Sequence, residues 1–142
     1  MDYDAIVVGA GPSGSSCATF LGRKGIKTLL LDKTSFPRDK TCGDGITGKS
    51  IAILEELGVH DKMNEVQHSR INGFLTATSA DTQIAFDGTE NPGYACKRYL
   101  FDNIVFEEAK KNADVIENFE VTDLLFEGGR VVGVKGTGKD KN

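Results

Sequence analysis

An open α/β fold that starts with a strand–helix–strand unit is predicted by three features near the N-terminus. The first is a short continuous apolar run, Ile6-Val7-Val8, of the kind expected in a central parallel strand. The second is the glycine-rich turn that follows it, Gly9-Ala10-Gly11-Pro12-Ser13-Gly14. The third is a second apolar run, Thr28-Leu29-Leu30-Leu31, closed by the acid Asp32.

The turn is the segment whose chemistry can be argued atom by atom. Gly9 permits the tight turn, Gly11 removes the Cβ that would block a diphosphate, and Gly14 lets helix and strand pack closely. Glycine supplies 17 of 142 residues, so the spacing alone says little, and the context must carry it. Pro12 suits the first helical turn, where its missing N–H has no partner to lose. Gly14, Cys17, Ala18 and Leu21 recur at i, i+3, i+4 and i+7, predicting a small-residue face laid against the sheet. A helix beginning there offers backbone N–H groups and a positive dipole end to phosphates. Each charge gains about 0.3–1 kcal/mol at exposed sites and up to ~2 when partly buried. Asp32 can accept from a ribose 2′-hydroxyl and would repel a 2′-phosphate. An adenine dinucleotide without that phosphate is the ligand these residues predict.

Composition narrows the classes. The chain is 39% hydrophobic and 27% charged, as in ordinary globular proteins, and its net charge of −4 leaves no basic footprint for nucleic acid. No apolar run reaches the ~18–20 residues a bilayer requires, and a strand starting at Asp4 predicts no leader segment. Cys17, Cys42 and Cys96 are widely spaced and odd in number, which fits cytosolic thiols better than disulfides or a metal site. His60 and His68 stand in polar stretches and read as solvated surface residues.

Further along, Lys33 to Gly45 is a charged loop rich in turn formers. A helix is expected over Thr47–Leu57, with Ile46, Ile53, Leu54 and Leu57 on one side and Gly58 as its cap. Ile71–Thr78 and Thr82–Phe86 read as strands around a Ser79–Asp81 turn, and Asn91-Pro92-Gly93 as another turn. Tyr99–Lys111 is the clearest amphipathic helix, with Phe101, Ile104, Val105 and Ala109 on one face. Val115-Ile116 is a short strand, and Val121–Phe126 with Arg130–Lys135 forms a hairpin about Glu127-Gly128-Gly129. The tail from Gly136 is polar and expected to fray. This order describes an α/β sheet still under construction, so the chain reads as the N-terminal piece of something longer. Residues of about 1–70 and 94–142 would form its nucleotide-binding core, and about 71–90 the first strands of a substrate domain.

The loop Phe36-Pro37-Arg38-Asp39-Lys40-Thr41-Cys42-Gly43-Asp44-Gly45 resembles that of the FAD-dependent geranylgeranyl reductase family. The resemblance extends over essentially the whole chain. It includes Gly9 to Gly14 with Asp32-Lys33, the series Tyr94, Arg98, Phe101, Asp102, Val121 at the hairpin's start, and Gly129 to Val134. The chain departs from the family in carrying Asp rather than the commoner Glu at position 32, and Lys97 before Arg98. The fold this implies is a Rossmann-like FAD-binding domain of the glutathione-reductase and hydroxybenzoate-hydroxylase type. It would be incomplete here, with an antiparallel excursion and a C-terminal hairpin.

By the same resemblance, Gly9, Gly11, Ser13 and Gly14 would line the diphosphate of FAD, with Asp32 at the adenosine ribose and Lys33 beside it. Arg98 would reach the phosphates or the ribityl chain, and Val121 would offer its backbone to the adenine edge. Cys42, Gly43 and Gly45 would lie against the isoalloxazine, and Cys42 or Asp44 would supply or order the proton for reduction of an isolated alkene. Plain packing is the alternative for Cys42, and core filling is expected of Cys17. The implied partners are a prenylated small molecule or lipid and an electron donor, either NAD(P)H or a ferredoxin-like protein. The implied location is the cytoplasm, with peripheral membrane contact allowed. A class A flavin hydroxylase or flavin-dependent halogenase is the rival enzyme, and a catalytically inactive FAD-binding fragment the rival of another class.

Overall fold

The computed structural model describes residues 2–41, 43–79, 83–90 and 92–138. In chain order its elements are β1 (Ala5–Val8), α1 (Pro12–Arg23), β2 (Thr28–Leu31), β3 (Gly45–Ile46), α2 (Gly48–Glu56) and a 3₁₀ turn (His60–Glu65). There follow β4 (His68–Ile71), β5 (Gly73–Ala77), β6 (Gln83–Asp87), β7 (Gly93–Cys96), α3 (Arg98–Ala109), β8 (Asp114–Ile116), β9 (Phe119–Glu127) and β10 (Arg130–Gly138). They fall into two units, one joining the residues up to Arg38 with those from Asp102 onward, the other spanning Asp39–Phe101.

In the first unit β1, β2 and β8 form a parallel sheet in that order, with Ile6 opposite Leu29 and Leu30 opposite Val115. Among the described residues β2 has a partner on each side and is buried throughout. β1 pairs, among the described residues, with β2 alone, and its Ile6 and Val8 are exposed. The core joins Ala10, Ala18, Leu30, Phe106 and Ala109, with Phe36 stacked on Phe106 at 4.1 Å between ring centroids.

The buried stripe of α1 differs from the expected one. Ser15, Ala18 and Thr19 are buried, whereas Cys17 is exposed and fills no core. The hydroxyls explain the shift: Ser15 Oγ donates to Ala10 O (2.7 Å) and Thr19 Oγ1 to Ser15 O (2.8 Å). Satisfied by nearby carbonyls, both side chains pack as small groups at no cost in unpaired polarity. The hairpin β9–β10 forms as the sequence predicts, but Gly136 to Gly138 do not fray: they pair with Val121, Glu120 and Phe119.

The second unit contains an antiparallel sheet ordered β3-β7-β4 and a separate hairpin, β5–β6, that pairs Phe74 with Phe86. Most of the turn expected at Ser79–Asp81 lies outside the described residues. Gly93, expected in a turn, opens β7. α2 starts after Thr47 and buries Leu54, with Leu57 beyond its end, but Ile53 is exposed. The two histidines are not free surface residues. His60 Nε2 lies 3.1 Å from the Tyr94 hydroxyl, and the His68 ring meets the Tyr94 ring edge-on at 4.9 Å.

Candidate functional site

β1 ends at Val8 and the chain reverses at Gly9, whose N–H donates to Leu31 O at 2.7 Å. Gly9 has φ +98°, a left-handed region that would cost a side-chain-bearing residue roughly 1–2 kcal/mol. Gly14 is required for a different reason, because a Cβ there would collide with the carbonyl oxygen of Gly9. Gly11 is the N-cap of α1 with no side-chain cap hydrogen bond, and Pro12 occupies the first turn. The first-turn N–H groups of Ser13 and Gly14 have no acceptor within the helix, which makes the elbow a natural seat for an anion.

Asp32, 8% exposed, sits directly against this elbow. Its Oδ2 accepts from Ala10 N–H at 2.7 Å, and its Oδ1 accepts from the N–H and the hydroxyl of Thr34 at 2.8 and 2.7 Å. Three of the roughly four acceptor positions of a carboxylate are thus used, leaving capacity for one hydroxyl. The acid therefore staples the turn as well as presenting an oxygen beside it. Its carbonyl accepts from Phe119 N–H at 2.9 Å, which brings the start of β9 to the end of β2, with half-buried Val121 two residues along. Lys33 is exposed next to the acid.

The first unit also holds a charged residue that sequence reasoning did not select. The Arg38 guanidinium lies over the Phe36 ring, 4.8 Å from its centroid, and its Nη1 is 3.2 Å from Asp102 Oδ2. Its Nη2 lies 3.4 Å from where a Cβ on Gly11 would stand. The one available signal was its place in the Phe36-Pro37-Arg38 stretch, which has no periodicity of its own.

In the second unit, the loop residues Gly43, Asp44 and Gly45 meet the start of α3. Asp44 O accepts from Cys96 N–H at 2.8 Å, and Asp44 Oδ1 accepts from Arg98 N–H at 3.3 Å. A Cβ on Gly43 would stand 3.0 Å from Arg98 Nη1, so backbone and guanidinium approach closely there. Gly45 pairs with Ala95 in β3–β7. Cys42 lies outside the described residues.

The FAD binding domain family model matches residues 2–138. Among curated relatives, the chain is 36% identical to a digeranylgeranylglycerophospholipid reductase of Picrophilus torridus, an alignment covering 95% of this chain and 34% of that protein. It is 34% identical to a menaquinone reductase of Mycolicibacterium smegmatis, over 90% of this chain and 32% of the relative. Among solved structures, the myxobacterial chondrochloren halogenase CndH superposes with a TM-score of 0.85 at 30% identity, over 96% of this chain and 33% of that one. The chain thus spans about a third of the length of the curated relatives it matches.

FAD is the cofactor these relationships indicate. The elbow fits it on structural grounds: a cradle with no Cβ at Gly11, a helix start with no side-chain cap, a carboxylate hydrogen-bonded to the turn, and a buried guanidinium nitrogen, Arg38 Nη1, without a hydrogen-bond acceptor. With the parallel sheet, the helix that follows its first strand and the β9–β10 hairpin all in place, this chain belongs to the FAD binding domain family.

Proposed function

We propose that this chain is the N-terminal part of an FAD-dependent oxidoreductase that reduces the double bonds of geranylgeranyl chains, most naturally those of lipids. The observation that carries the reading is its similarity, across 95% of its length, to the Picrophilus torridus reductase, a span that includes the Cys42-Gly43-Asp44-Gly45 loop. In this reading Gly9, Gly11, Ser13 and Gly14 hold the diphosphate, Asp32 the adenosine ribose and Val121 the adenine edge, with Lys33 a further cofactor-binding residue. Arg98 serves the phosphates or ribityl chain, and Cys42, Gly43 and Gly45 flank the isoalloxazine. Residues of about 71–90 begin the substrate domain.

Bound FAD, once reduced, supplies the hydride that an isolated alkene cannot obtain from any side chain. The protein's own part is to exclude water, orient the chain and hold a proton for the second carbon. The Cys42 thiol or the Asp44 carboxyl is the group proposed for that proton. Asp44 is suited to a fixed position because Cys96 and Arg98 N–H groups anchor its backbone and its side chain. The electron donor is NAD(P)H or a ferredoxin-like protein, and a lipid substrate is compatible with peripheral contact with a membrane. Among the described residues no helix is long and apolar enough to cross one.

This chain alone is expected to be inactive, so the test uses a full-length version: loaded with FAD and reduced anaerobically with dithionite, it is mixed with a geranylgeranyl lipid. Mass spectrometry should then show the lipid gaining hydrogens in pairs. Cys42→Ser should depress this turnover more than FAD content; equal turnover would leave the thiol as packing. A halogenase reading is favoured by the likeness to CndH, and turnover requiring both oxygen and halide would select it over the reductase. Yellow protein that bleaches with dithionite yet reduces no lipid would mark this stretch as a binding piece only.

A further inference from the structure

We propose that Arg38 is a diphosphate-binding residue of the FAD site, held over Gly11 by Asp102 and Phe36; the inference rests on the elbow as the seat of the diphosphate. The bridge of FAD brings a negative charge on each phosphoryl group. The elbow offers N–H dipoles, and the nearest carboxylate, Asp32, adds a charge of the same sign as the ligand. A cation is needed for balance, and the guanidinium of Arg38 stands closest to the cradle, with Nη2 3.4 Å from the Cβ position of Gly11. That is the place where Gly11 leaves room.

The way Arg38 is held favours a ligand role. Its side chain is 15% exposed, Asp102 is fully buried, and Nη1 approaches Asp102 Oδ2 at 3.2 Å without hydrogen-bond geometry. A guanidinium kept only to neutralise a buried carboxylate would be expected to turn its planar fork fully onto that partner. Here the fork is offset, because Phe36 supports its face and Phe106 supports Phe36. The offset directs Nη2 to the glycine cradle and leaves one buried donor without an acceptor. Two phosphoryl oxygens are acceptors of the chemistry that such a fork recognises.

The experiment uses the flavin-free full chain, titrated with FAD, with ADP and with adenosine, for the parent and for Arg38→Gln and Arg38→Lys. The expected result is a loss of about ten- to a hundredfold in affinity for FAD and ADP in Arg38→Gln, with adenosine unchanged. Arg38→Lys should recover part of the loss, and the salt dependence of ADP binding should flatten in the Gln variant. Equal losses for ADP and adenosine, or no loss for ADP, would overturn the proposal, as would unfolding of both variants, which would assign Arg38 to packing alone. Failure of the parent itself to bind ADP or FAD would instead sink the underlying placement of the diphosphate.

Discussion

Phe106 and Phe74 are chemically the same residue in opposite circumstances. In the elbow unit Phe106 is 1% exposed, stacked on Phe36 and packed with Leu30, Ala18 and Ala109. In the β5–β6 hairpin Phe74 is 67% exposed, and its cross-strand contact is Phe86 at 5.3 Å between centroids. Leu75 and Ile84 are exposed as well. A two-stranded hairpin with apolar side chains open on both faces is marginal in water. The elbow unit buries a sheet–helix centre even though Ile6, Val8 and Phe126 of that unit stay exposed, whereas the hairpin leaves Phe74, Leu75, Ile84 and Phe86 all exposed.

Substitution measures the contrast directly. Phe106→Ala should cost about 3–5 kcal/mol in urea unfolding of the full chain, because it empties the centre of the sheet–helix core. Phe74→Ala should cost less than about 1 kcal/mol, the worth of one cross-strand aromatic pair. A Phe74 cost near that of Phe106 would show the hairpin covered in the full chain and remove the distinction between the regions.

Within the elbow unit the next effect falls on the ligand. Asp32→Ala should weaken FAD binding by roughly 1.5–3 kcal/mol in a flavin fluorescence titration, through loss of a charge-assisted hydrogen bond. The same change frees Ala10 N–H and Thr34, so a smaller loss of stability should accompany it. Unchanged flavin content would remove Asp32 from the site and leave it as a staple of the turn. Gly9→Ala should cost about 1–2 kcal/mol of stability by backbone strain alone, since nothing stands within 4 Å of its Cβ position. A neutral result by thermal unfolding would show the turn relaxing to a negative φ.

The two regions also differ in how much of them the sequence discloses. β1, α1, β2, α3 and the β9–β10 hairpin follow from local patterns: an apolar run, a glycine elbow, a helical period, a Gly-Gly turn. Strands β4 and β7 were not legible. Each has only four residues, and β7 acquires its role by pairing with both β3 and β4, partners that lie far away in sequence. The same reason hid the surroundings of His60 and His68, which meet at Tyr94 only once β7 is placed. In the site, Asp32 was legible because it closes an apolar run, but its bonds to Ala10 and Thr34 were not. Arg38 was passed over because its partner Asp102 arrives from another element. On α1 the apolar period pointed to Cys17, whereas hydroxyls satisfied by backbone carbonyls placed Ser15 and Thr19 inside.

The two described cysteines give the mildest test of the contrast. Cys17 is exposed on α1, while Cys96 in β7 is buried, its Sγ 3.7 Å from the carbonyls of Gln67 and Lys97. Burial pushes the Cys96 thiol above its ordinary 9.0, and the nearby Asp44 charge adds to the rise against a lowering contribution from the Phe101 N–H. The thiolate is the reactive form, so at neutral pH Cys96 should resist alkylation while Cys17 is labelled promptly. The sign for stability follows from the same shift. As pH climbs past the ordinary thiol value the unfolded chain ionises at Cys96 first, so the neutral folded thiol loses its contribution as pH rises through the folded value. Mass mapping of iodoacetamide-labelled peptides at several pH values reads both sites at once. Equal labelling of Cys17 and Cys96 at neutral pH would show that β7 opens readily and that the second unit is the looser of the two.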